Sequence, residues 1–148
     1  CPGRNSIAVA ELAFALILSA MRNLPFAFNR KEAKAHGEGG NIVGAPLAGR
    51  VLIVDDVMTA GTAVRESLDI IRSAGATPAG VAVSLDRMER GAGALSAVQE
   101  IEKTHGIPVL PIANLDHLLA YLEHTPELRQ NIGAIREYRK QFGVMDHA

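Results

Sequence analysis

The sequence has little cysteine and little excess charge, and it lacks an apolar run long enough to cross a membrane. Its one cysteine, Cys1, has no partner for an internal disulfide, which favours a reducing, cytoplasmic setting. The 15 basic and 16 acidic residues give a net charge of −1, which argues against a general binder of nucleic acid or of membrane surfaces. The longest apolar stretch, Ala8 to Met21, is shorter than the about 20 residues that a membrane-spanning helix needs, and it predicts a core-facing helix.

Apolar runs that are typical of strands alternate with helical patterns along the 148 residues. This alternation predicts an α/β fold, with a mostly parallel sheet flanked by helices on both faces, in a single domain over residues 1–148. Two prolines mark the last predicted strand as an edge strand. The predicted strands are 24–28, 51–54, 79–85 and 107–112, and the predicted helices are 6–22, 62–73, 94–104, 115–123 and 126–142.

An apolar strand that ends in two acids stands near the centre of the chain. Val51 to Val54 shows no alternation of polar and apolar residues, which predicts a strand buried on both faces of a parallel sheet. Asp55 and Asp56 follow at its carboxyl end, where ligands bind in open α/β sheets. The small residues Thr59 to Thr62 then leave backbone N–H groups uncovered where the next helix begins. This order of features predicts a site for a sugar phosphate.

The paired acids have more than one interpretation. Adjacent carboxylates on an extended strand point to opposite faces, but the turn at a strand end lets both face a ligand. There they can accept hydrogen bonds from sugar hydroxyls, or hold Mg²⁺ directly or through water. The alternatives are solubilising loop residues, a helix cap, or a receiver-type phosphoacceptor domain, although in that domain the paired acids follow the first strand and no phosphate loop comes after them.

Residues 29–49 show no usable periodicity, and a segment of this length in a compact domain is usually a functional lid or a disordered excursion. A dense cationic set flanked by glycines suits a lid that closes over a polyanion. A solvated linker or a general polyanion patch is the alternative, although Glu32 and Glu38 dilute the charge too far for nonspecific nucleic-acid binding. The cationic residues are Arg30, Lys31, Lys34 and His36.

Three ordered segments resemble the orotate phosphoribosyltransferase family, which is part of the type I phosphoribosyltransferases. Val51 to Ala63 resembles the family's motif for phosphoribosyl pyrophosphate (PRPP). Phe28 to Gly40 resembles its mobile catalytic loop, and Ser84 to Gly91 resembles its orotate-contacting segment. The resemblance implies the type I phosphoribosyltransferase fold and the transfer of phosphoribose from PRPP to orotate, for UMP biosynthesis. A noncatalytic PRPP-binding module and a phosphoribosyltransferase for another base are the alternatives.

By this resemblance, Asp55 and Asp56 hold the ribose hydroxyls of PRPP, and Thr59 and Arg87 contact orotate. A guanidinium can clamp a carboxylate with two hydrogen bonds, which suits an anionic pyrimidine acid. The alternative for Arg87 is a surface ion pair with Asp86 or Glu89. The implied PRPP-binding residues are Asp55, Asp56, Val57, Met58, Thr59, Ala60, Gly61, Thr62 and Ala63, and the implied catalytic residues are Arg30, Lys31, Lys34 and His36.

The resemblance also implies a cofactor and a partner. Mg²⁺ is expected to be carried mainly by PRPP, near Asp55 and Asp56, and no residue is assigned as a direct ligand. The loop at 29–49 is expected to reach the neighbouring subunit's site, which implies a homodimer. Because the family has further structure upstream of the position that Cys1 matches, the resemblance predicts that this chain is truncated at its N-terminus.

Overall fold

The computed structural model describes residue 21 and residues 23–34, 40–58, 61–91 and 93–144, with only the backbone at 30–34, 40 and 41. Two compact units, residues 1–47 and 48–148, are described here one at a time. The single domain over 1–148 stays a prediction. The helix predicted over 6–22 lies outside the described residues, except for Met21, which is helical.

In the first unit, two paired strands lie where the sequence predicts a structureless segment, at residues 29–49. Strand β1 (Ala27–Lys34) pairs in antiparallel fashion with β2 (Gly40–Gly44). Phe28 lies opposite Val43, a pairing of an aromatic with a β-branched residue that stabilises neighbouring strands. The prediction of a structureless segment is wrong at these residues because the charged second half of β1 carries no apolar alternation, so its partner across the sheet could not be read from the sequence.

The strand predicted over 24–28 begins later, at Ala27, and a tight backbone contact fixes its start. The backbone N–H of Ala45 donates a hydrogen bond to the carbonyl oxygen of Phe26, at 2.8 Å. Gly44 has a φ of 119°, and a Cβ at this position would collide with that same carbonyl oxygen. Glycine is therefore required at position 44 both for its backbone conformation and for the close approach of the two chain segments.

The second unit is built on a parallel sheet, which confirms the predicted α/β class. Its strands, in spatial order, are β3 (Arg50–Val57), β4 (Thr77–Asp86) and β5 (Val109–Asn114). The register places Ile53 beside Val81, and Val81 beside Val109, so that buried side chains form a row across the sheet. The edge position of β5 agrees with the prediction from its prolines.

Helices join or follow these strands close to the predicted positions. Ser96 caps α2 with a reciprocal pair of hydrogen bonds to Gln99, so this helix begins at Ala97 and not at residue 94. The predicted last helix begins instead as a 3-10 helix, Pro126–Asn131. No described helix is long and apolar enough to cross a membrane. The α-helices are α1 (Thr62–Ser73), α2 (Ala97–His105), α3 (Leu115–His124) and α4 (Ile132–Phe142).

One face of the sheet carries the core of the second unit. Helices α1 and α2 lie side by side, as the contact between Arg65 and Glu100 indicates, and both bury apolar side chains. The opposite face of β3 exposes Leu52 and Val54, and that of β5 exposes Leu110. The prediction that Val51 to Val54 is buried on both faces is therefore wrong in this structure, because its side chains alternate between a covered and an exposed face. The most deeply buried core residues are Val64, Leu68, Val81, Val83 and Ile101.

Candidate functional site

The carboxyl ends of the three parallel strands meet along one edge of the sheet. Val57 lies beside Leu85, and Asp86 lies beside Asn114. The acids of β3 and the segment that follows β4 therefore approach the same edge, which is where open α/β sheets bind ligands. The sequence predicted only that Asp55 and Asp56 follow a strand end where ligands bind.

Asp55 and Asp56 both lie inside β3, which runs on to Val57 and does not end at Val54. Successive side chains in a strand point to opposite faces, and the burial follows this rule: Asp55 is half-buried and Asp56 is exposed. The structure therefore differs from the expectation that a turn brings both carboxylates to one side. The side-chain oxygens accept hydrogen bonds from the next backbone N–H along the chain, at 3.0 Å for Asp55 and 2.6 Å for Asp56. Their contact with ribose hydroxyls stays a prediction.

Helix α1 presents its N-terminus to the same edge. Gly61 precedes the helix with a φ of 69°, a left-handed conformation that favours glycine, and its carbonyl oxygen accepts the N–H of Arg65 at 3.0 Å. In the described part of the chain, no side chain caps this helix, and its first turn has no acidic residue. The first N–H groups of α1 therefore favour an anion. Thr59 and Ala60 lie outside the described residues.

The other residues predicted to bind PRPP differ in exposure. Met58 is only 4% exposed, so its side chain packs in the core and only its backbone is available to a ligand. Val57 is half-buried, whereas Thr62 and Ala63 are exposed at the start of α1. Backbone groups and small side chains are thus what this segment offers to a phosphate.

The predicted cationic lid residues lie in the first unit. Arg30, Lys31 and Lys34 belong to β1, but their side chains, like the whole of His36, fall outside the described residues. Their catalytic roles stay a prediction.

Arg87 follows β4 in a turn that Asp86 shapes. The Asp86 carboxylate accepts the N–H of Met88 at 2.8 Å, and Met88 has a φ of 53°, in the left-handed region. Arg87 Nε lies 3.2 Å from Glu89 Oε1, so the ion pair considered as the alternative is present. The Nε–H is not directed at that oxygen, and it is buried without a hydrogen bond among the described residues. Arg87 therefore lies at the edge where the parallel strands end, with the carboxylate of Glu89 beside its guanidinium.

The C-terminal helix contacts this turn, which the sequence did not predict. The hydroxyl of Tyr138 donates a hydrogen bond to Glu89, and the Arg90 guanidinium donates one to the carbonyl oxygen of Gln141, at 2.6 Å. The contacts join residues far apart in the chain, so no local pattern announced them. A cavity of about 310 Å³ lies between the turn and the helix, lined by Arg87, Glu89, Arg90, Tyr138 and Phe142.

Glu100 connects α1 and α2 to the segment after β4. One of its carboxylate oxygens lies 3.5 Å from Arg65 Nη2, and the other accepts the N–H of Gly93 at 3.3 Å. A Cβ at Gly91 would lie 2.6 Å from this carboxylate, so the glycine allows the close approach. The Glu100 side chain therefore contacts both the first turns of α1 and the segment that follows β4.

No set of three or more His, Cys, Asp or Glu side chains suited to a metal ion is present in the described ranges. Asp55 and Asp56 are the two acids that precede the predicted phosphate site, but they point to opposite faces of β3. The described residues therefore do not form an enclosed metal site, and a cation at this edge would need ligands from a bound molecule.

The sequence is similar to phosphoribosyltransferases. The family model of the phosphoribosyl transferase domain matches residues 1–104. The chain is 59% identical over 145 residues to the orotate phosphoribosyltransferase of Chromobacterium violaceum, and the match covers 98% of this chain and 68% of that relative. The chain thus spans about two thirds of the length of this relative.

The structure is similar to solved structures of orotate phosphoribosyltransferases. The enzyme of Francisella tularensis matches 89% of this chain and 61% of its own, with 34% identity and a TM-score of 0.68. The enzyme of Mycobacterium tuberculosis in complex with PRPP matches 64% of this chain and 50% of its own, with 27% identity and a TM-score of 0.51.

Proposed function

The chain belongs to the phosphoribosyl transferase family and, within it, to the orotate phosphoribosyltransferases, and from this premise we propose that it transfers the phosphoribosyl group of PRPP to orotate. The products are orotidine 5′-monophosphate and pyrophosphate, in pyrimidine biosynthesis. The observation that carries the proposal is the meeting, at one edge of the sheet, of paired acids, an uncapped helix N-terminus and Arg87. The PRPP complex of a related structure supports the choice of the sugar phosphate.

PRPP binds with its 5′-phosphate at the start of α1. The backbone N–H groups of Gly61, Thr62 and Ala63 donate to the phosphate oxygens, and the helix dipole favours the negative charge. Asp55 and Asp56 accept hydrogen bonds from the two ribose hydroxyls. Because the two carboxylates lie on opposite faces of β3, this binding needs either a change of backbone conformation at the end of β3 or a ribose that contacts both faces of the strand.

Orotate binds beside Arg87 and Thr59. A guanidinium matches the two oxygens of a carboxylate, and orotate carries a carboxylate that uncharged purine bases lack. The turn that Asp86 and Met88 form places Arg87 directly after β4, one strand away from the acids of β3. This placement brings the base next to the ribose.

The reaction needs no protein nucleophile. A ring nitrogen of orotate loses its proton to solvent and forms a bond to the anomeric carbon, while the bond from that carbon to the pyrophosphate oxygen breaks. Negative charge grows on the leaving pyrophosphate, and Arg30, Lys31 and Lys34 supply positive charge to it, with His36 on the same segment. Closure of the 29–49 segment excludes water and so suppresses hydrolysis of the ribosyl centre.

A magnesium ion that accompanies PRPP would lie near Asp55 and Asp56, where it would neutralise part of the charge of the phosphates. Asp55 or Asp56 is suited to one further contact, directly or through water.

We also propose that the chain forms a homodimer in the cytoplasm. The single cysteine favours a reducing compartment. In the dimer, residues 29–49 reach the neighbouring subunit's site, so each site uses cations from the partner.

The experiment follows the loss of orotate absorbance in the presence of PRPP and Mg²⁺. We expect orotate absorbance to fall only when orotate, PRPP and Mg²⁺ are all present, and we expect no turnover with a purine base in place of orotate. Arg87→Ala should raise KM for orotate by about 10-fold or more, because it removes a charged hydrogen-bonding group. The matched control is Arg136→Ala, which removes an exposed ion pair with Glu123 and should leave KM unchanged. Turnover with a purine but not with orotate would assign the chain to another base, and PRPP binding without turnover would support the noncatalytic module.

A further inference from the structure

The guanidinium of Arg87 rests against an acid that a second element holds in place. Glu89 Oε1 lies 3.2 Å from Arg87 Nε, and the same oxygen accepts the hydroxyl hydrogen of Tyr138 from α4. The Arg87 side chain is 32% exposed and that of Glu89 is 19% exposed, so water screens this pair less than a fully exposed one.

The backbone fastens the same turn to the end of α4. The N–H of Val144 donates to the carbonyl oxygen of Met88 at 3.0 Å, and the N–H of Arg90 donates to that of Phe142 at 2.9 Å. Glu89 and Gly143 face each other in an antiparallel bridge between these two bonds. The position of Glu89 relative to α4 is therefore fixed by the main chain, and Tyr138 then selects the direction of its carboxylate.

The contact with Glu89 involves one particular edge of the guanidinium. Within the described residues, Arg87 meets a carboxylate only through Nε. The two terminal nitrogens, Nη1 and Nη2, form the edge that binds a carboxylate with two parallel hydrogen bonds. An acid held 3.2 Å from Nε thus keeps its negative charge beside the guanidinium and leaves that edge unoccupied.

We propose that Glu89 and Tyr138 are positioning residues, through which α4 aims the Nη1–Nη2 edge of Arg87 at the carboxylate of the pyrimidine substrate. The inference rests on the proposed function. The Tyr138 hydroxyl keeps the negative charge of Glu89 at Nε. Without that hydroxyl, Glu89 is free to move onto the Nη atoms, where it competes with the substrate carboxylate and repels it.

Two single changes separate this role from general support of the fold. Tyr138→Phe removes one hydroxyl and keeps the ring that packs against Phe142 at a centroid distance of 5.0 Å. We expect KM for orotate to rise roughly 3- to 10-fold, which is less than the loss of a direct hydrogen bond to a charged group would cause because the hydroxyl acts through Glu89 and Arg87, while KM for PRPP stays unchanged. Glu89→Gln keeps an oxygen that accepts from Tyr138 and lacks the competing charge, so its KM for orotate should stay closer to that of the wild type.

The controls use residues of the same type away from the turn. Tyr121→Phe changes the other tyrosine of the chain, which is exposed on α3, and Glu137→Gln changes an exposed acid next to Tyr138 in sequence. Neither should alter KM for orotate. Thermal unfolding of each variant, followed by circular dichroism, identifies a change that acts on stability instead.

The decisive readout is the preference for a base with a carboxylate. We expect Tyr138→Phe to lower kcat/KM for orotate relative to that for uracil, which lacks the carboxylate, and Glu89→Gln to retain the preference. Two results with an active wild type would overturn the inference and leave the proposed function standing. One is an unchanged preference for orotate over uracil in Tyr138→Phe, and the other is an equal rise in KM for orotate and for PRPP in that variant. No turnover by the wild type would overturn the proposed function and the inference with it.

Discussion

Gly61 shows how one residue links backbone conformation to the proposed phosphate site. Its φ of 69° lies in the left-handed region, and a Cβ there would meet Ile101 only at an ordinary contact distance of 3.4 Å. The backbone, and not a lack of space, is therefore what favours glycine. The small side chains of this segment, read from the sequence, led to the correct location of the helix start.

Gly61→Ala should lower the free energy of unfolding by about 1 kcal/mol, because a left-handed conformation costs that much for a residue with a Cβ. The matched control is Gly133→Ala, in the first turn of α4, where a Cβ would meet nothing within 4 Å. That change should raise the free energy of unfolding by about 0.5–1 kcal/mol, since alanine favours helices. Urea unfolding of the three proteins measures both effects. Equal losses in the two variants would contradict the account.

Local signals at single residues were predictable, and distant contacts were not. Asn114 caps α3 and Gly106 ends α2 in a left-handed conformation, next to the predicted helix bounds at residues 115 and 104. The bond between Tyr138 and Glu89 joins residues 49 positions apart. Nothing in the sequence near either residue signals the other, so this part of the site required the structure.

At the scale of elements, the parallel strands were easier to predict than the hairpin, which is the antiparallel pair of β1 and β2. β3, β4 and β5 are rich in apolar, β-branched residues and alternate with helices, a pattern with few possible topologies. β1 and β2 instead depend on pairing between a charged segment and a glycine-rich one. The burial of β3 was predicted wrongly because an uninterrupted apolar run does not reveal that one face is exposed.

The hairpin carries the predicted lid residues, so its geometry should affect turnover. Gly44→Ala places a Cβ against the carbonyl oxygen of Phe26, and we expect kcat to fall by about 10-fold, the order of loss that a small misplacement of reacting groups causes. Gly49→Ala is the control, since Gly49 also has a positive φ, of 63°, but a Cβ there meets nothing within 4 Å. Steady-state assays of both variants separate the two effects, because Gly44→Ala has the clash and a strained backbone whereas Gly49→Ala has only a strained backbone. An equal fall of kcat in the two variants would show that the clash has no role.

At the scale of the whole molecule, the proposed substrate site lies in the second unit and the predicted cationic residues lie in the first. We propose that a homodimer brings them together by exchange of residues 29–49 between subunits. This proposal rests on the family resemblance of the segment, since no pattern within the chain specifies a partner.

Exchange of the segment predicts that two inactive variants restore each other. Mixed dimers of Lys34→Ala and Asp56→Asn contain one site with both defects and one site with neither. If subunits assort at random, an equal mixture should regain about a quarter of wild-type activity. No recovery, with mixed dimers verified by native mass spectrometry, would place the cations in the same subunit as the site that they serve.

The most direct measurement of the central claim is phosphorus NMR of the wild-type chain with PRPP, orotate and Mg²⁺. We expect the PRPP signals to be replaced by those of orotidine 5′-monophosphate and pyrophosphate in equal amounts, and only when orotate is present. Unchanged PRPP, or its conversion to ribose 5-phosphate and pyrophosphate whether or not orotate is present, would contradict the claim that this chain transfers phosphoribose to orotate.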